Sequence, residues 1–204
     1  MNHSTKLLAT IGVLAFTCLT PSAAHELVPK APPDAMKLTA TDYAEIGQLV
    51  VRYAWTLDHC VNGGQDYADL YVEDGQFAVA EDWGTTSNDE RTFVSIGRAA
   101  LARAAGAGDD GQCVDPRGTL GYGLTHIVAN HMIVPMKDGA VGKHRLITVG
   151  VCGYPHAMEL QGGYEDVYVK TRDGWRFQSR IHVFKQAPSL QFGVCGNREE
   201  SHVD

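Results

Sequence analysis

The feature that most restricts what this chain can fold into is the order of its hydrophobic patterns. The second half carries four long segments of strand character: Thr125 to Met136, Ala140 to Cys152, Gly162 to Thr171 and Trp175 to Lys185. They are joined by the turns Lys137-Asp138-Gly139 and Arg172-Asp173-Gly174 and by the loop Gly153 to Leu160. Such short connections join antiparallel neighbours. The first half is mainly helical in pattern. Helices followed by a run of strands predict an α+β domain, because a parallel sheet would alternate the two. The expected fold is a cone-shaped α+β barrel, with N-terminal helices packed into a strongly curved mixed or antiparallel sheet. The mouth of such a cone is a natural pocket.

The ends of the chain fall outside this domain. Residues 1–24 read as a signal peptide: one lysine, Lys6, an apolar run from Leu7 to Leu19, then Ser22-Ala23-Ala24 at the cleavage position. The apolar run is too short to span a bilayer. The expectation is an exported protein, periplasmic if the source is Gram-negative, cleaved near Ala24. Residues 25–38 hold Pro29, Pro32 and Pro33 and read as an extended arm. Residues 39–186 form the predicted domain, and 187–204 a polar C-terminal tail.

Within the domain, Thr39 to Asp42 offers N-cap residues and Glu45 stands at capping-box spacing from Asp42. A helix to about His59 buries Ile46, Leu49, Val50, Tyr53 and Leu57. Asp58 ends it. A carboxylate at a helix C-terminus opposes the macrodipole, so Asp58 needs either solvent or a partner. Asp66 to Tyr71 reads as a short helix, Glu73-Asp74-Gly75 as a turn, Gln76 to Ala80 and Arg91 to Ile96 as strands, and Gly97 to Ala105 as a helix. Gly106 to Gly123 is a glycine-rich loop of the kind that forms lids.

Charge and cysteines narrow the function. The net charge of -7 becomes one unit more negative when Lys6 is removed with the signal peptide. Without a basic patch, this argues against nucleic acid and anionic membranes as partners. Cys60, Cys113, Cys152 and Cys195 remain; their even number favours two disulfides, with the connectivity open. No metal is expected. His126 and His131 point to opposite faces of one strand, so they cannot share a metal unless a bulge intervenes. No dinucleotide, phosphate-loop or nucleophilic-serine motif occurs, so no cofactor is expected.

An acid/base pair is what remains. His126 and Asn130 share a parity on the long strand and so share a wall, with Asn130 a brace. Asp58 at the helix end and His126 at the strand start could meet at the cone's mouth. A carboxylate on one imidazole nitrogen fixes the tautomer and makes the other a base.

Asp58 after an aromatic-rich helix, the segment His126-Ile127-Val128-Ala129-Asn130, and the closing Tyr168-Val169-Lys170-Thr171-Arg172-Asp173-Gly174-Trp175-Arg176 resemble the SnoaL-like family of the nuclear-transport-factor-2-like fold. The resemblance runs from about Leu38 to Lys185. It implies a cofactor-free lyase, carbon–oxygen or carbon–carbon, of the scytalone dehydratase, dehydrochlorinase or formaldehyde-lyase kind, in which His126, oriented by Asp58, takes a proton from a small hydrophobic, aromatic or cyclic substrate. Arg180 resembles a pocket arginine that holds a leaving group or oxyanion. Tyr53, Tyr122 and Tyr164 are candidate pocket phenols, and Glu165 falls at a pocket position. The second histidine of scytalone dehydratase has no counterpart here, near Gly150, so scytalone itself is not the expected substrate. The alternatives are an isomerase of the same fold and a non-catalytic small-molecule-binding protein. Relatives pair or trimerise through the outer sheet face, so a homo-oligomer is expected, with Tyr164, Asp166 and Tyr168 offering that face.

Overall fold

The computed structural model describes residues 29–85, 88–114, 124–150 and 158–184. The signal peptide, the first residues of the arm, Tyr122, Cys152, Cys195 and the C-terminal tail lie outside them.

Helix α1, Ala40–Asp58, starts one turn earlier than the Asp42 spacing suggests. Thr39 is the N-cap, and its hydroxyl accepts from the Asp42 backbone N–H at 3.2 Å. The Asp42 carboxylate accepts in return from Thr39 N at 2.8 Å. Thr39 and Asp42 thus form the capping box expected of Asp42 and Glu45, and it satisfies the backbone N–H groups of Asp42 and Thr39. The same carboxylate accepts from Trp175 Nε1 at 3.0 Å and Lys170 Nζ at 2.6 Å, tying the helix start to the last hairpin. The arm before it is not idle. Met36 N donates to Met136 O at 2.9 Å, and Met36 and Leu38 pack on the core.

After α1 come a 3-10 turn, Val61–Gly64, and a short α2, Gln65–Ala68. Gly64 has φ +82, and a Cβ there would stand 2.5 Å from Ala102 O, so only glycine fits. Strand β1, Tyr71–Ala80, absorbs the expected Glu73-Asp74-Gly75 turn as an irregularity within one strand. Strand β2 (Arg91–Ile96) and α3 (Arg98–Ala104) follow, then β3 (Leu124–Met136), β4 (Gly139–Gly150), β5 (Met158–Thr171) and β6 (Gly174–Val183).

The sheet order is β2-β1-β6-β5-β4-β3. Strand β1 runs parallel to β6, and every other pair is antiparallel, so the sheet is mixed and curved. Helix α1 lies within the curve against β3 and β6. The buried interior is strongly aromatic: Tyr53, Tyr67, Tyr71, Tyr164, Tyr168, Phe77 and Phe177 are all 2 % exposed or less.

Two bulges set which side chains face inward. On β3 the pairing passes from Ala129↔Arg145 to Met132↔Lys143, one residue too many. Asn130 takes up the excess with φ 53, a left-handed conformation that asparagine tolerates better than most. On β6 the pairing passes from Val167↔Ser179 to Tyr168↔Phe177, which turns Arg180 inward. On β5, Tyr164, Asp166 and Tyr168 also face the interior and are 2 % exposed or less. They do not form the outer face that their alternation was expected to supply.

Candidate active site

Asp58 closes α1, and His126 sits near the start of β3, which leans on that helix. Asp58 Oδ2 accepts the backbone N–H of His126 at 2.9 Å, and Oδ1 takes the ring Nδ1. No basic side chain lies in the helix's last turn. The two donors of His126 are therefore what offset the macrodipole at this carboxylate. The side chains of His126 and Asp58 are only 6 % and 8 % exposed. With Nδ1–H donated to Asp58, Nε2 carries the lone pair and can accept a proton. Thr148, 2 % exposed, is the register partner of His126 on β4 and shares its inward face. A disulfide, Cys60–Cys113, fixes the chain just past Asp58.

The other predicted residues distribute differently. Tyr53 lies earlier on the inner face of α1, and its hydroxyl meets the Tyr164 hydroxyl at 3.4 Å. Burial, the largest influence on both phenols, pushes their pKa values up and keeps them protonated. Arg180 is wholly buried. Its Nε and Nη2 donate to Asp166 Oδ1 and Oδ2 at 2.8 and 2.7 Å, and its guanidinium lies 3.9 Å from the Tyr53 ring centre and 4.5 Å from that of Tyr164. Burial works against its charge, but the Asp166 carboxylate outweighs that cost and raises the pKa. Arg180 is thus committed to Asp166 rather than open to a leaving group.

Asn130 and Glu165 do not join the site. The bulge turns Asn130 out to an exposed position, so it braces nothing on the inner wall. Glu165 faces the opposite side of the sheet from Tyr164. There it pairs with Lys143 at 2.7 Å and accepts from Gly84 N at 2.7 Å, bordering an outer cavity of about 380 Å³. Tyr122 falls outside the described residues.

Sequence reasoning missed a second polar cluster. Asn130's bulge brings His131 inward, where its ring centre lies 5.0 Å from that of His144. Tyr168 donates its hydroxyl proton to Asp166 Oδ2 at 2.6 Å and therefore accepts from His131 Nε2 at 3.0 Å. Arginine can only donate, so His144 Nε2 accepts from Arg180 Nη2 at 3.0 Å. Burial lowers the pKa of both imidazoles, that of His144 to about 3, and both are neutral at pH 7. Among the described residues, the buried His144 Nδ1 and Arg180 Nη1 have no hydrogen-bond partner. The signal that could have exposed this cluster is the asparagine inside a strand, a residue that accepts left-handed backbone.

The model of the SnoaL-like domain matches residues 38–181. Among solved structures, an NTF2-like protein with a cystatin-like fold from Novosphingobium aromaticivorans aligns with TM-score 0.54 and 22 % identity, over 74 % of this chain and 90 % of its own. A second protein from that organism, provisionally designated a scytalone dehydratase, aligns with TM-score 0.50 and 21 % identity, over 69 % and 82 % of the two chains. A third, a Catenulispora acidiphila protein solved in complex with S-DNPA, aligns with TM-score 0.51 and 21 % identity, over 71 % and 95 %. These likenesses concern the fold. No curated protein matches the chain.

Proposed function

Because the chain belongs to the SnoaL-like domain family, we propose that its Asp58–His126 pair makes it a cofactor-independent lyase for a small hydrophobic, aromatic or cyclic substrate. The observation that carries this reading is the double engagement of Asp58 with His126, through the backbone N–H and Nδ1. A buried carboxylate holding an imidazole in one tautomer is how a weak base is aimed and strengthened.

In the proposed reaction, His126 Nε2 removes a proton from carbon. The C–H electron pair becomes the new double bond, and the leaving group departs with its own pair as water or halide. In a carbon–carbon cleavage His126 takes the proton of a hydroxymethyl group instead: the O–H pair becomes the carbonyl of formaldehyde, and the C–C pair becomes the new double bond as the neighbouring hydroxyl leaves, protonated, as water. Asp58 stabilises the imidazolium that forms. Tyr164, which accepts from Tyr53, keeps its own proton and is the candidate donor to the leaving group. Arg180, held beneath both rings, offsets the negative charge that grows on the phenol as that proton moves. The Cys60–Cys113 disulfide supports the reading that the protein works in an oxidising compartment after export.

A test set of β-hydroxy and β-halo aromatic and alicyclic compounds, followed by ultraviolet absorbance for the new double bond, checks the reading. Wild type should turn over at least one member, and His126→Ala should cost about a hundredfold or more in kcat while still binding it. Exchange of a substrate proton with solvent deuterium, with no group lost, would instead identify an isomerase. Tight binding with no turnover by wild type would identify a binding protein.

A further inference from the structure

Two histidines that the proposed reaction does not use face the same interior. His131 and His144 stand on neighbouring strands with ring centres 5.0 Å apart, His131 half-buried and His144 2 % exposed. The hydrogen bonds around them fix which nitrogen of each carries a proton. The ionised Asp166 only accepts, so Tyr168 gives it the hydroxyl proton and takes that of His131 Nε2. Both imidazoles are neutral, because burial lowers their pKa values. A neutral imidazole has one N–H, so His131 Nδ1 carries a lone pair. His144 is the reverse. Arg180 Nη2 donates to its Nε2, which leaves its one proton on Nδ1.

The two rings therefore present one acceptor and one donor side by side. The donor, His144 Nδ1–H, is buried and has no hydrogen-bond partner among the described residues. A buried donor left unmade is costly, and completion by a ligand is one reason such a group is kept. One chemical group suits both nitrogens. A hydroxyl has a lone pair for His144 Nδ1–H and a proton for His131 Nδ1. A carbonyl, an ether or a halide offers His131 no proton, and an ammonium offers His144 no lone pair. A carboxylate has no proton either, and it would crowd Asp166, whose Oδ2 lies 3.5 Å from His144 Nε2. The Arg180 charge is already matched by its two bonds to Asp166, so it does not call for a second anion.

The pair shares a wall with the dyad. His126, Val128 and His131 follow one another along the inner face of β3, the last brought inward by the bulge at Asn130. Val128 and Ile133, on either side of His131, pack on the core. On β4, Thr148 stands opposite His126, and His144 lies four residues further along.

We propose that His131 and His144 form a hydroxyl-recognition site, at which an alcohol or phenol group of the ligand accepts from His144 Nδ1 and donates to His131 Nδ1. This rests on the reading that substrate binds in the interior beside Asp58 and His126. It narrows that substrate to one with a free hydroxyl remote from the carbon that loses its proton. The two histidines bind and orient; they make and break no bond.

Calorimetric titration of the full chain at neutral pH with naphthol, its methyl ether and naphthoate tests this. Naphthol should bind at least about tenfold more tightly than either analogue. His131→Phe and His144→Phe should each bring naphthol to within about twofold of the ether, with ether binding itself changed by no more than about threefold. His126→Ala should keep the preference for naphthol, so a failure of the proton-abstraction reading and a failure of this one are separate results. Nitrogen-15 spectra of wild type should show His144 protonated at Nδ1 and His131 at Nε2, and the His131 Nδ1 signal should move on addition of naphthol but not of the ether. These spectra need no variant and decide the matter should His144→Phe fail to fold. Equal affinity for naphthol and its ether, a preference that survives both phenylalanine variants, tighter binding of naphthoate, or the opposite tautomer at either ring would overturn the proposal. So would a wild type that binds no naphthol.

Discussion

Asp58 and His126 meet through two bonds rather than one: the carboxylate holds both the ring and the backbone of the same residue. The backbone bond fixes where the strand begins against the helix, and the ring bond fixes which nitrogen is basic. The two residues act as a unit, so their removal should not be additive. Asp58→Asn and His126→Ala should each lower kcat by about two to four orders of magnitude. The double variant should be little worse than His126→Ala alone. Steady-state kinetics on any substrate from the test set measures this. Nitrogen-15 shifts of His126 give a second readout: Nδ1 should be the protonated nitrogen in wild type, and that preference should weaken in Asp58→Asn.

Asn130 is predicted to matter through its backbone alone. Its φ of 53 suits glycine and asparagine and strains a β-branched residue. Asn130→Gly should leave stability within about 0.5 kcal/mol. Asn130→Val should cost about 1–2 kcal/mol, as measured by urea unfolding. If Asn130 were instead a bracing side chain of the pocket, Asn130→Gly would damage turnover, and no such loss is expected.

These two residues show what the sequence discloses and what it conceals. The dyad was legible because each member sits at an element boundary, and boundaries follow from periodicity and capping. The α+β order was legible for the same reason. Asn130 was misplaced because parity counting assumes regular pairing, and one inserted residue exchanges the faces of everything beyond it. His131 gained the wall that Asn130 lost. Asp166 was misread for a related reason. A charged residue in a strand pattern reads as solvent-facing, and only the fold shows that Asp166 turns inward and engages Arg180, the expected pocket arginine, on the neighbouring strand. The parallel pairing of β1 with β6 was equally out of reach, since it joins segments far apart in the chain.

Asp166 and Arg180 form an ion pair with no exposure, enclosed by Tyr53, Tyr164 and Phe177. Such a pair adds little net stability, but breaking it strands a charge. Asp166→Leu should destabilise by about 3–5 kcal/mol. The double variant Asp166→Leu with Arg180→Met should recover much of that loss, because no lone charge remains buried. Chemical denaturation of wild type, the single and the double variant decides it. A double variant worse than the single one would show that the pair itself, not the stranded charge, holds the core.

His144 predicts how stability depends on pH. Burial lowers its folded pKa to about 3, whereas in the unfolded chain an imidazole takes up a proton below about 6.5. Between these values the unfolded state binds more protons than the folded state, so stability falls as pH falls. The slope from this one group is about 1.4 kcal/mol per pH unit, or about 3 kcal/mol from pH 6.5 to 4. His131, also lowered by burial, acts in the same direction. Burial pushes the Asp166 pKa up, but Arg180 and the other donors around it outweigh that and hold it below the unfolded value, so its contribution is present above that value and is lost only at more acidic pH. His144→Gln removes the titrating group and should flatten the profile between pH 6.5 and 4, although it is less stable at pH 7. Urea midpoints at four or five pH values for the two proteins measure the difference. Parallel profiles would mean that His144 already carries its proton in the folded protein, and that Arg180 cannot then be donating to its Nε2.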